Sequence, residues 1–349
     1  MVGKQLPITL TEWDIGSIVM GFESQEVERK VVSILNVLGE QQEPLGARVI
    51  ARRLKDHGVE LSERAVRYHL KLMDERGLTK SIGKDGRLLT EQGIEETRNA
   101  LARDKIGFAF SRIEALAFRT SFDWEKCSGL VPVNISLFPS ENFKKALRAM
   151  REAFEAELCV SELVAVASEG EKLGEVMVPQ GKIGFATVCS IIINGSLLKA
   201  GIPLESRFGG ILQIRDRKPT RFVDFIHYAG STLDPSEVFI KARMTSVGEI
   251  VSSGGGKIVA NYREIPAPCR SMTDNIVTKL REAGLGRLIV MGEPSQPVCE
   301  IPIALNRVGM VLMGGLNPVA AAEEQGIEAE NMSMSTVMEY QDLIKFWEL

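Results

Sequence analysis

The sequence predicts an α+β protein, an N-terminal winged helix-turn-helix followed by an internally duplicated α/β domain. Three observations carry this: three amphipathic helical stripes ending in a hairpin signal, an ungapped internal repeat 125 residues apart (300 minus 175), and the composition of a globular chain. Of 349 residues, 44% are hydrophobic and 25% charged, enough for two or three domains with sizeable cores. The formal charge of −4 means that any nucleic-acid footprint must be local.

Residues 1–25 show no period and read as an arm. A winged helix is expected over 26–105. Its first helix carries Val27, Val31, Ile34, Leu35 and Leu38 and stops at Gly39; its second carries Ala47, Ile50, Ala51 and Leu54. Ser62 reads as the N-cap of a third helix, with Glu63 in its first turn and Val66, Leu70 and Met73 as the inward stripe before Gly77. Two short apolar runs, 78–82 and 88–90, flank Lys84-Asp85-Gly86-Arg87, a hairpin signal. With the apolar stripe inward, Arg64, Tyr68 and Lys71 point out and Arg67 sits on the shoulder. A recognition helix needs this arrangement: one face fixed to the bundle, the other lined with long donors. Lys84 and Arg87 fall on the wing. Across 44–90 eleven basic side chains face six acidic ones, a local excess of five in a net-negative chain.

Residues 106–349 are expected to form an effector-sensing and dimerisation domain built on the repeat, with units at about 131–203 and 258–328. Glu175–Gly184 aligns with Glu300–Gly309, and the match runs without a gap from Ile183–Ile202 onto Val308–Ile327. Val164-Ala165-Val166 faces Ile289-Val290-Met291 at the same offset, and Arg151-Glu152-Ala153 resembles Arg281-Glu282-Ala283 at an offset of 130 (281 minus 151). Between the units lie strand-like runs at 210–214, 221–226 and 238–244, then a turn at 252–256 leading to a strand over 257–263. The edges of the strands within 208–244 need covering, which points to a homodimer interface.

Two equivalent stretches, Thr187–Gly195 and Leu312–Pro318, follow strands and precede helices. Small residues there let a ligand approach the backbone, and helix N-termini favour anions; ordinary strand-to-helix packing accounts for each loop equally well. Cys127, Cys159, Cys189, Cys269 and Cys299 are scattered, and His57, His69 and His227 are too few for a histidine-rich site, so no metal is expected. No nucleophile–base set is visible, which points away from an enzyme. The first residues lack the apolar core of a signal peptide and no stretch approaches the roughly 20 residues of a membrane span, so a cytoplasmic protein is expected.

Seven motifs carry a resemblance: Val188-Cys189-Ser190, Leu198–Pro203, Arg207–Gly210, Leu233-Asp234-Pro235, Met244–Val247, Arg263–Ala267 and Gly314-Gly315-Leu316-Asn317-Pro318. Over about residues 26–345 the chain resembles the NrpR family of nitrogen-regulatory repressors. The resemblance implies a winged helix and one regulatory domain, operator DNA as partner, and 2-oxoglutarate as the effector that releases it. It also implies a second regulatory protein, since single-domain members need a partner carrying the other domains. Beyond that effector no cofactor is expected. A site for this dicarboxylate needs an arginine or a helix start for each carboxylate. Thr187, Cys189, Ser190, Gly314, Gly315 and Asn317 from the two loops, with Arg207 and Arg263, form the candidate set; a surface ion pair is the other reading of Arg207. From other classes, an enzyme fused to a winged helix would need convergent titratable groups. An RNA-associated module would need aromatic stacking platforms, and aromatics are only 6%.

Overall fold

A computed structural model describes residues 27, 30–39, 43–56, 59–99 and 108–349; the expected arm lies outside them. The chain divides into two compact units, Met1–Asp104 and Lys105–Leu349.

In the first unit the helix α1 over 30–39 is followed by α2 (Ala47–Asp56) and α3 (Glu63–Glu75), then β1 (Thr79–Ser81), β2 (Arg87–Leu89) and α4 (Glu91–Asn99). Leu45 bridges to Arg87 and adds a third short strand to the antiparallel hairpin, which completes a winged helix. Ile34, Leu35, Ile50, Leu54, Val66, Leu70 and Met73 are all 0% exposed and form its core. The chain reverses after α3 because Gly77 takes a left-handed φ of 73°. Its N–H then reaches Asp74 O, and Leu78 N–H reaches Met73 O, the double bond of a Schellman cap.

The second unit opens with α5 (Phe108–Arg119) and then repeats one pattern twice. First come β3 (Leu130–Pro139), α6 (Phe143–Glu155), β4 (Leu163–Ala167), β7 (Lys182–Val188), α7 (Ile191–Lys199) and β8 (Glu205–Arg215); a small hairpin, β5 (Lys172–Leu173) and β6 (Val176–Met177), interrupts this copy. The second copy is β10 (Gly256–Pro266), α10 (Arg270–Glu282), β11 (Leu288–Met291), β12 (Arg307–Met313), α11 (Asn317–Glu324) and β13 (Glu330–Glu339). Between them lie β9 (Lys218–His227), α8 (Pro235–Lys241) and α9 (Val247–Ser253); β14 (Ile344–Lys345) ends the chain's strands.

The two copies exchange their last strands. One sheet runs β13-β3-β7-β4-β14 and the other β11-β12-β10-β8-β9, with antiparallel neighbours throughout. Thus β13 of the second copy completes the first sheet, and β8 of the first copy completes the second. Each copy therefore runs one strand beyond the ranges expected from sequence, because β8 and β13 leave their own copy's sheet. Helices cross over too: α6 packs on α11, and α7 on α10. A hydrophobic core links the halves, and α7 is buried on nearly every side: Ile191, Ile192, Ile193 and Leu197 pack inward, while the buried Asn194 and Ser196 bond to Ser206 Oγ (3.0 Å) and Ile192 O (2.8 Å).

Two local expectations change. The run 238–244 is not a strand: Asp234 accepts a hydrogen bond from Ser236 N–H (2.8 Å), Pro235 opens α8, and Phe239 and Ile240 bury against the core. An N-cap and Pro at N1 outweigh β-branched propensity here. The turn expected at 252–256 is the end of α9, capped by left-handed Gly254. The equivalent helices α6 and α10 differ by 127 positions (270 minus 143) rather than 130. No helix among the described residues is long and apolar enough to cross a membrane.

Strand exchange predicts that the halves unfold together. Ile135 of β3 and Leu312 of β12 are both 0% exposed. Ile135→Ala and Leu312→Ala should each destabilise the unit by about 2–5 kcal/mol in urea. Hydrogen exchange should show both sheets losing protection in either variant; loss confined to the mutated half would disprove the coupling.

Candidate nucleic-acid interface and ligand cavity

Ser62 caps α3 by accepting Ala65 N–H (3.2 Å). On the solvent side Arg64, Arg67, Tyr68 and Lys71 are exposed, Tyr68 by 61%. Arg67 pairs with Glu63, and Lys71 lies 3.9 Å from Glu75. These exposed one-turn pairs are weak and easily give way to phosphate. Lys84 is exposed in the wing turn, where Asp85 N–H returns to Ile82 O. Arg87 is turned inward instead. Its Nε donates to Asp74 (2.8 Å), whose other oxygen accepts from Thr79 Oγ1 (2.6 Å). Facing Ser81 across the hairpin, Arg87 clamps the wing to α3 and is a structural residue, not a free wing cation.

His69 is buried on α3 and its Nδ1 has no partner. Burial, with Lys30 as a second cause, lowers its pKa.

In the second unit a small cavity, with about 20 Å³ of free space, is walled by both copies of the repeat. Asn134 of β3 and Asn261 of β10 are repeat equivalents, each five residues before a proline (Pro139, Pro266). Their bonds cross between copies: Asn134 Oδ1 accepts Met334 N–H (3.0 Å), and Asn261 Nδ2 donates to Ser190 Oγ (3.0 Å). Tyr228 O–H donates to Asn261 Oδ1 (2.6 Å). The N-terminal ends of α7 and α11 border the space through Ser190, Ile191, Gly315 and Leu316. Gly315 is required there, since a Cβ would lie 2.4 Å from Asn134 Nδ2 and 2.6 Å from Val188 O.

Arg263 is the unusual member. It is 1% exposed, its guanidinium sits 4.9 Å from the centre of the Tyr228 ring, and Nη1 donates to Tyr262 O (3.1 Å). Nε has no partner, and no carboxylate among the described residues forms an ion pair with it. A buried charge left half-satisfied is expensive and is suited to receiving an anion. Asp234 also lines the cavity; burial raises its pKa, while its carboxylate caps α8.

Of the residues expected at an effector site, Cys189, Ser190, Arg263 and Gly315 line this cavity. Thr187 lies behind the wall, 3.4 Å from Asn134 Nδ2. Gly314 packs against Val259 O, and Asn317 exchanges two bonds with the Val259 backbone (2.9 and 3.0 Å), so both fasten α11 to β10. Arg207 is elsewhere. Strand alternation buries Ser206 and Phe208 and turns Arg207 out to Glu205 and Glu264, in a network shared with Arg307. The ion-pair reading of Arg207 is the one observed. Burial pushes the Cys189 thiol up to about 12, which removes it as a thiolate nucleophile near neutrality. Among the described residues no cluster of His, Cys, Asp or Glu is placed to hold a metal. Asn134 and Asn261 can be found by carrying the repeat upstream at offset 127; Tyr228, Asp234 and Ser333 have no such signal.

Residues 106–345 match the family described as NrpR regulatory domains NRD1 and 2. The chain belongs to the NrpR family. Residues 32–97 match the winged-helix domain described for ribonuclease R. Global nitrogen regulator NrpRI of Methanosarcina mazei is 42% identical over 318 residues, covering 91% of this chain and 98% of that protein. Global nitrogen regulator NrpR of Methanococcus maripaludis is 33% identical over 299 residues, and this match covers 86% of the chain but 52% of that longer protein. A crystal structure of a nitrogen repressor-like protein from Methanococcus jannaschii has a TM-score of 0.58 at 26% identity, covering 68% of this chain and 98% of that one. The NrpR-type unit is thus the duplicated, strand-exchanged domain, and the winged helix precedes it.

His69 generates a pH prediction. Its folded pKa is depressed, so between that value and the ordinary 6.5 the unfolded chain binds the proton better. Stability of the winged helix should fall as pH drops below about 6.5. Hydrogen exchange of the α3 amides should show faster opening with acid in this window, and His69→Gln should flatten that dependence. An unaltered profile in the variant would place the titration elsewhere.

Proposed function

We propose that this NrpR family member is a cytoplasmic repressor that binds operator DNA through α3 and the wing, represses nitrogen-assimilation genes, and leaves DNA when 2-oxoglutarate enters the Arg263 cavity. The observation that carries the effector reading is the buried guanidinium with an unpartnered Nε in a space bounded by two helix N-termini. Arg263 would take one carboxylate in charge-assisted bonds and the starts of α7 and α11 the other, the cavity widening to admit the acid; the Ser190 hydroxyl, which accepts from Asn261 and keeps its own proton, is a donor for the keto oxygen. The names of the relatives support the nitrogen-regulatory role. The exposed donors of α3 and the local positive excess support duplex DNA as partner.

A two-fold operator site suits a homodimer, as is usual for helix-turn-helix proteins. β9 is an edge strand, with Phe225 48% exposed at its far end, and offers a seam for a second copy. A second regulatory protein would supply what a single regulatory domain lacks.

Arg64→Ala combined with Lys71→Ala should weaken operator binding by about 1–3 kcal/mol for each side chain that reads a base edge. Operator affinity of the double variant equal to wild type, measured by fluorescence anisotropy, would remove α3 from the interface. For the effector, a hundredfold weakening of operator binding corresponds to about 2.7 kcal/mol of coupling, and reciprocity requires DNA to weaken 2-oxoglutarate by the same factor. Calorimetric titration of the acid with and without operator should show this difference. Arg263→Met should abolish the heat while leaving DNA bound, and equal affinities in the two titrations would dismiss 2-oxoglutarate as the release signal.

A further inference from the structure

β8 and β9 join through a two-residue turn, Asp216 and Arg217, both left-handed (φ 49° and 59°). Arg215 and Lys218 sit directly opposite each other across it. Further from the tip, Arg221 of β9 and Lys257 of β10 flank Gln213 of β8 on its two sides in one cross-strand row. Arg215, Arg217, Lys218, Arg221 and Lys257 are all exposed. Arg221 Nε donates to the neutral Gln213 Oε1 (3.2 Å), and among the described residues none of the five forms an ion pair. Within 213–223 and 254–258 the single carboxylate is Asp216.

Five cations against one acid concentrate positive charge at one end of one sheet, in a chain of formal charge −4. The arrangement is unfavourable for the fold alone. Like charges directly opposite across strands destabilise a sheet, and a tight turn of this kind prefers glycine where Arg217 stands. Such a cluster attracts a polyanion, because binding releases the condensed counterions of the polymer.

We propose that the β8–β9 tip, together with Lys257, is a second DNA-contacting surface, carried by the regulatory unit, that grips the phosphate backbone of duplex DNA without reading bases. The proposal rests on the reading of the chain as a duplex-DNA binder. A single strand would need stacking platforms beside the cations; the one strongly exposed aromatic of β9, Phe225, lies four residues beyond Arg221. A protein partner would need an apolar centre inside the polar rim. Arg217 and Pro219 also border an apolar pocket of about 360 Å³ walled by Ile214, Ile250, Leu288 and Met313, but Arg215, Lys218, Arg221 and Lys257 lie outside its lining and offer charge without an apolar centre. Gln213, the one amide in the row, is already engaged by Arg221, so base-edge recognition has no donor set here.

The test uses the full-length protein and a random-sequence duplex over a salt series. The triple variant Arg215→Ala, Lys218→Ala, Arg221→Ala removes only exposed side chains and should keep the wild-type melting temperature. Each phosphate neutralised contributes about 0.9 to the slope of log affinity against log salt, so the slope should become shallower by about 2–3, with affinity near 0.1 M salt falling at least tenfold. The charge-keeping variant Arg215→Lys, Arg221→Lys should stay near wild type. If the triple variant keeps slope and affinity while Arg64→Ala, Lys71→Ala is weakened, the hairpin proposal is overturned and the winged-helix reading stands. If wild type fails to bind the duplex at any salt, both are overturned.

Discussion

The exchange of β8 and β13 between the two halves is the constraint on which the regulatory unit depends. Neither half can complete its sheet alone, so every cross-half contact is obligatory. The cavity sits where the exchange brings equivalent elements together. Asn134 and Asn261 come from the equivalent strands β3 and β10, and each bonds to an atom of the other half. The starts of α7 and α11 border the same space. Duplication thus brings two backbone-rich helix starts to one cavity, a ready place for negative charge.

Symmetry is broken in the cavity wall, most consequentially at Arg263. Arg263 of the second half corresponds to Ser136 of the first, which spends its hydroxyl on Asn331 (2.6 Å). Only one guanidinium therefore faces the cavity, and an acid bound there would have one orientation. The same strand that turns Arg263 inward turns Glu264 toward Arg207 and Arg307 at the surface. Alternation along β8 and β10 explains why, of two arginines in similar motifs, one belongs to the cavity and the other to a surface network.

Much of this is legible in the sequence. The winged helix is readable because its inward stripes are strictly periodic and its cap, Ser62, and stop, Gly77, have local chemistry. The repeat is readable because strand, helix and strand recur without a gap. Strand exchange is not, since pairing partners are set by three-dimensional packing and leave no period. The helix at Pro235–Lys241 reads as a strand because Val238, Phe239 and Ile240 dominate the pattern until the Asp234 cap is weighed. Arg87 reads as a wing cation because Asp74, which claims it, stands thirteen residues away. Arg207 and Arg263 lie in equally characteristic motifs, and only the register of their strands separates them.

The energetics of Arg263 join structure to regulation. An unmade hydrogen bond on a buried polar group costs about 1–3 kcal/mol, and more when the group is charged. That cost is carried by the folded chain. An acid that satisfies Nε removes it, but only in an arrangement that presents the guanidinium to the ligand. The differential free energy available is therefore of the same order as an allosteric coupling, about 1–3 kcal/mol. Because the walls of the cavity are fastened across the exchanged halves, a shift of either helix start cannot be absorbed within one half. Close-packed interiors transmit such displacements rather than dissipating them, so on the proposed reading the residue that would select the ligand is also the one whose relief would drive the change.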